Sequence, residues 1–247
     1  MSPDRSPGEH LDQGAAWRRL ADRILDESVE LCMGENLLVT LTSPEVYRLA
    51  QALAEGTVRR GANHHALLHT EEVDEAIRRS GTEELARQRL SVELDAMSGA
   101  DTHVALRALE PPAGETGDEG FGRRAALLRA AQGEVSAARW AETRWCIVRV
   151  PTPGYADYLG LPVEVLVDEF LRGSIDADGW SGWEGLAAAL DGAREVRIVG
   201  DDTDLTFSVA GRTWKLFDGK MNLPDGEVAT APVETTVEGH ITFTDPL

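Results

Sequence analysis

At 247 residues the chain is long enough for one large domain or two smaller ones, and 42% apolar with 27% charged residues is the composition of a folded globular protein. A formal charge of −19, from 43 acidic against 24 basic residues, excludes nucleic acid and anionic membrane surfaces as partners, because both demand clustered Lys and Arg. No apolar run approaches the roughly 18–20 residues that span a bilayer, and Met1-Ser-Pro-Asp-Arg-Ser-Pro-Gly-Glu-His10 lacks the basic-then-apolar order of a signal peptide, so the cytoplasm is the expected compartment.

Trp17, Leu20, Ile24, Leu25 and Leu31 fall on one helical stripe and Gly34 supplies a stop, which predicts an amphipathic helix over about 14–33. Asn36 to Thr42 is a short apolar run and reads as a strand. Ser43-Pro44 then supplies a cap and a first-turn proline for a helix that runs to Arg60-Gly61. A strand around His64 to Thr70, helices within Glu71 to Met97, and a strand around Thr102 to Leu106 follow. The segment Pro111 to Gly120 is almost devoid of apolar residues and rich in turn formers, so it reads as a solvated loop. Beyond it come a helix from Phe121 to Glu142, a strand from Arg144 to Val150, and helices around 163–171 and 183–190 that end at Asp191-Gly192. Strands alternating with helices of this length imply an α/β fold, a mainly parallel sheet with helices on both faces. After Gly192 the pattern changes to short strands, at 195–199, 205–209 and 212–217. The expected division is therefore an α/β domain over 1–192 and the opening strands of a β-rich domain over 193–247.

Several candidate sites fail on elementary geometry. His64, His65 and His69 lie on a predicted strand, where His65 and His69 would be roughly 13 Å apart, too far to share an ion held by bonds of about 2 Å. Gly117-Asp-Glu-Gly-Phe-Gly122 precedes a helix, but its glycine order is wrong for a phosphate cradle and no Lys-Ser/Thr follows; no nucleotide cofactor is expected. No Gly-x-Ser-x-Gly is present. Asp201, Asp202 and Asp204 suit a hairpin turn better than a calcium loop, which needs a longer ladder of ligands. Cys32 and Cys146 are too few for a disulfide framework or a Cys-rich zinc site, and both read as small buried hydrophobes.

One carboxylate stands apart. In Pro224-Asp225-Gly226 the proline fixes φ early and the glycine supplies a positive φ later, so Glu227 starts the next strand at a set angle. Taken alone, such a turn is most simply an ordinary hairpin with its Glu facing water. The wider passage changes that reading. From Arg194 to Phe243, with Arg194-Glu-Val-Arg-Ile-Val and Asn222-Leu-Pro-Asp-Gly-Glu-Val-Ala-Thr-Ala-Pro-Val-Glu234 within it, the sequence closely resembles the thermophilic-type metallo-aminopeptidase family of aminopeptidases T and S. Arg144-Trp145 and Pro151-Thr-Pro-Gly-Tyr-Ala156 resemble its upstream Trp and Pro-Thr-x-x-Ala stretches, so the likeness covers about residues 140–247.

The resemblance implies a hydrolase that releases N-terminal amino acids from peptides through a pair of divalent metal ions, zinc, cobalt or manganese, with Glu227 as a metal ligand. Asn222 and Thr230 flank it and are expected to play structural parts. The family continues beyond the point where this sequence stops, and the second Glu, the His residues, the Asp and the Tyr that complete its site belong to that later part. None maps onto residues present here, so the general base is unassigned. Two alternatives follow: a non-catalytic interaction protein that kept the scaffold, or one half of a split enzyme. Unpaired strand edges from Glu195 onward imply a homo-oligomer, such as a dimer, or a complementing chain.

Overall fold

The computed structural model describes residues 12–112, 120–175 and 181–243. Residues 113–119, the first half of the glycine-rich stretch 117–122 and most of the preceding loop, therefore lie outside the described residues. The chain divides into two compact units, Met1–Asp176 with Gly219–Pro224, and Ala177–Asp218 with Asp225–Leu247.

The first unit is built on a five-stranded, wholly parallel sheet. Its strands are β1 (Asn36–Leu41), β2 (Asn63–Leu68), β3 (Thr102–Ala108), β4 (Arg144–Val150) and β8 (Asn222–Leu223), in the order β2-β1-β3-β4-β8. Parallel strands are covered on both faces, so they read as continuous apolar runs instead of alternating ones. Leu37, Leu38, Val39 and Leu41 of β1 are all buried. The register sends alternate residues to opposite faces: Leu38 and Thr40 of β1 lie level with His103 and Ala105 of β3. Leu38 packs against Leu90, Met97, Ala131 and Val135. Those side chains come from α5 (Ser91–Met97), the turn before it, and α6 (Phe121–Glu142), which pack together with α3 (Glu71–Ser80) and α4 (Glu83–Gln88).

Another helical layer joins α1 (Gln13–Arg23), α2 (Tyr47–Arg59) and α8 (Val163–Ile175), with Trp17 of α1 against Phe170 of α8 at 5.7 Å between ring centroids. A short helix, α7 (Pro153–Leu159), opens with Pro153 at its first turn and with Tyr155 N–H donating to Thr152 Oγ1. The fold class expected from the alternating pattern is the one observed.

Two local expectations are corrected. The first helix does not run to 33: α1 ends at Arg23, continues as a single π turn over Ile24–Ser28, and breaks at Glu30, whose φ is +46°. Ile24, Leu25 and Val29, in and just after the wider turn, are all fully buried. Cys32 is exposed and not a buried hydrophobe, because it lies past that break; Cys146 on β4 is buried as expected.

The second unit holds α9 (Ser181–Leu190) and short antiparallel strands. β5 (Glu195–Gly200) and β6 (Thr203–Ser208) form a hairpin, with β10 (Glu238–His240) on the far side of β6. β7 (Lys215–Phe217) pairs with β9 (Glu227–Ala229), and α9 packs on both. The Asp201-Asp202 turn has Asp202 at φ +52°, and Asp204 accepts two bonds from Arg197, at 2.8 and 2.7 Å. These aspartates serve the hairpin, as their composition suggests.

Candidate functional site

Glu227 sits where the turn predicts. Gly226 has φ +137°, a backbone that side-chain-bearing residues rarely adopt, and its N–H bonds the Asp225 carboxylate at 3.0 Å. A Cβ at Gly226 would meet Trp183 Nε1 of α9 at 3.2 Å, so glycine is demanded by conformation and by space. Glu227 then begins β9 opposite Phe217, with its side chain exposed. Thr230 Oγ1 donates to the Thr213 carbonyl at 3.0 Å, a structural bond. Asn222 lies on β8, level with Ile147 of β4, and serves the parallel sheet.

A metal site needs more than this. Among the described residues no three of His, Cys, Asp and Glu gather around a common point, whereas zinc commonly takes three or four protein ligands. The residues described here do not by themselves fit a metal pair. His64 and His65 lie on β2, and His69 beyond its end pairs with Glu93 at 3.3 Å, so the three histidines share no ion.

The first unit carries a polar constellation that sequence reasoning missed. His103 of β3 is fully buried and sits between Thr40 Oγ1, at 3.0 Å from Nε2, and Arg139 of α6, whose Nε–H donates to Nδ1 at 3.2 Å. A guanidinium is a donor only, so Nδ1 must present its lone pair. The proton therefore rests on Nε2 and is donated to Thr40 Oγ1. Burial first, and then the charges of Arg139 and Arg107, push the imidazole pKa down to about 3 and keep the ring neutral.

Above this core a cavity of about 510 Å³ opens at the carboxyl ends of the parallel strands. Arg107 of β3, Arg149 of β4 and Arg139 line it together with Glu93 and His69. Burial raises the Glu93 carboxyl above the usual range, opposed by His69 and the arginines. Burial likewise lowers Arg139 and Arg107, each is lowered further by a neighbouring guanidinium, and the charge of Glu93 opposes both shifts. In open α/β sheets this end of the strands is where ligands bind. The available signal was an arginine near the end of two apolar strands, in Val-Ala-Leu-Arg107 and Cys-Ile-Val-Arg149.

Wild-type AmpT from Thermus thermophilus is similar in structure, with a TM-score of 0.70 and 22% identity over 91% of this chain. The match spans 63% of AmpT, so this chain corresponds to under two thirds of that protein. A 2,5-dihydroxypyridine dioxygenase from Pseudomonas putida is more distant, with a TM-score of 0.49 and 14% identity over 92% of this chain and 58% of that one. No match was found among curated proteins. A profile of the thermophilic metalloproteases (M29) matches residues 15–247, and the chain belongs to that family.

Proposed function

We propose that this chain carries the N-terminal part of a metal-dependent aminopeptidase-like hydrolase, acting on the free amino end of peptides, with Glu227 as one ligand of a divalent metal pair. The observation that carries the reading is the family match over residues 15–247, which includes the Glu227 turn. A turn that fixes backbone direction through Gly226 and Trp183 holds a carboxylate at a set angle, as an ion-binding strand end requires. When bound, divalent zinc, cobalt or manganese ions would supply Lewis-acid polarisation of a carbonyl and a more acidic water. The part of this chain would be to supply one carboxylate and its rigid mount; the other ligands come from outside the residues described here, in a further segment, a second copy or a complementing chain.

Metal content and leucyl-p-nitroanilide hydrolysis test this reading, with Glu227→Ala alongside. The expected outcome is weak, substoichiometric metal binding by the chain alone, and metal-dependent turnover once the completing ligands are present, with at least about a hundredfold loss in Glu227→Ala. Turnover unchanged by the substitution would remove Glu227 from the site. A chain that binds no metal and gains no activity under any complementation would be a scaffold without the chemistry.

A further inference from the structure

We infer that the cavity at the carboxyl ends of β1 to β4 is a binding site for a metabolite-sized ligand carrying an oxyanion, a carboxylate or a phosphate group, held by Arg107, Arg139 and Arg149. This site lies wholly in the first unit and does not rest on the aminopeptidase reading.

Three observations converge. Arg107 and Arg149 stand level on adjacent parallel strands, so two like charges occupy neighbouring positions on one sheet face, an arrangement that destabilises an empty site. Neither has a hydrogen bond or ion pair among the described residues, although the protein holds 43 acidic side chains; Arg60, Arg78, Arg89, Arg144 and Arg197 each have a carboxylate within 3 Å. The charge of Glu93 acts on Arg107, but no carboxylate bonds either guanidinium, and two such groups side by side in so acidic a chain are suited to a partner that arrives from outside.

Arg139 is the second observation. It is only 4% exposed, its Nε–H is fixed by His103, and its guanidinium carbon lies over the Trp145 ring, 5.7 Å from the ring centroid. No hydrogen bond among the described residues uses its terminal nitrogens, which remain as donors in a fixed fork suited to a carboxylate or phosphate. His103 holds this fork in place, and its neutral ring adds no charge.

The cavity walls are the third. Of its acidic residues, Asp74 is bound to Arg89 at 2.7 Å and Glu71 to Arg78 at 2.5 Å, while Glu93, bound to His69 at 3.3 Å, also feels Arg139 and Arg107 and offsets part of their charge. Glu110 also lines the cavity; burial first, and then the charges of Glu45, Glu72 and Glu71, raise its carboxyl above the usual range, which favours its neutral form. A volume of about 510 Å³ falls in the usual range for small-molecule sites, and Leu90, Ala105 and Val135 give it an apolar floor.

Calorimetric titration of the full chain with inorganic phosphate and, separately, with succinate at low ionic strength tests the proposal. We expect one equivalent of at least one probe to bind, and Arg107→Gln and Arg149→Gln each to weaken it about tenfold, the loss of one charge-assisted bond. Binding of phosphate alone or of succinate alone identifies the group recognised. Arg197→Gln, in the second unit, should leave binding unchanged. Without ligand, the Arg107→Gln/Arg149→Gln double variant should melt no lower than the wild type, since like-charge repulsion is relieved; a purely structural pair would lower the melting temperature. If the double variant does not fold, the Arg149→Gln titration decides. Absence of binding by both probes at millimolar concentration, or binding that survives Arg149→Gln unchanged, overturns the proposal.

Discussion

His103 shows how much one side chain can set. Its two ring nitrogens face different partners, Arg139 at Nδ1 and Thr40 at Nε2, and only the neutral Nε2–H tautomer satisfies both. With the folded pKa near 3 and the unfolded value near 6.5, the unfolded chain takes up a proton that the folded chain refuses between those limits. This group therefore makes the protein lose stability as pH falls below about 6.5, with a slope approaching about 1.4 kcal/mol per pH unit until the folded ring itself titrates near 3. Nitrogen-15 spectra should show a neutral His103 ring at pH 5, and the pH dependence of denaturant stability should flatten in His103→Gln. Glu93 acts in the opposite sense. Its carboxyl titrates above the ordinary range, so its contribution is lost as pH rises through the interval above 4.5.

At the scale of elements, the strands of the first sheet were the most legible. β1, β3 and β4 are buried on both faces and appear in the sequence as mainly apolar runs, with Thr40 and His103 as buried polar exceptions. β8 was not legible as part of that sheet, because two residues carry no periodicity; Leu223 earns its place only by pairing with Val148. The turn that follows was readable, since Pro-Asp-Gly encodes its dihedral angles locally. Trp183 beside Gly226 was not readable, since it comes from a helix more than one element away. Gly226→Ala should destabilise the second unit by about 1–3 kcal/mol, through the φ of +137° and the approach of Trp183 to 3.2 Å. Chemical denaturation followed by Trp fluorescence checks this, and an unchanged midpoint would show that the turn relaxes at no cost.

For the whole molecule, the charge of −19 and the exposed edges act against one another. Net charge opposes self-association, yet β5 forms the outer strand of its sheet, with Ile198 at 41% and Val199 at 68% exposure. We expect sedimentation velocity at micromolar concentration and moderate salt to show species heavier than the 26.8 kDa chain, and Val199→Lys to shift them back toward it. A single 26.8 kDa species at all concentrations would show that the edge is left unpaired. Among the described residues no helix is long and apolar enough to cross a membrane, in keeping with the hydropathy of the sequence.

The sequence by itself determined what depends on neighbours along the chain: the α/β alternation, the caps, the Asp-rich hairpin and the turn that aims Glu227. Tertiary structure alone decided the rest. Thr40, His103 and Arg139 are separated by 63 and 36 positions, and only the register of two parallel strands and the packing of α6 bring them together. Arg107 and Arg149 become a pair for the same reason, since parallel pairing sets level residues that no local pattern links.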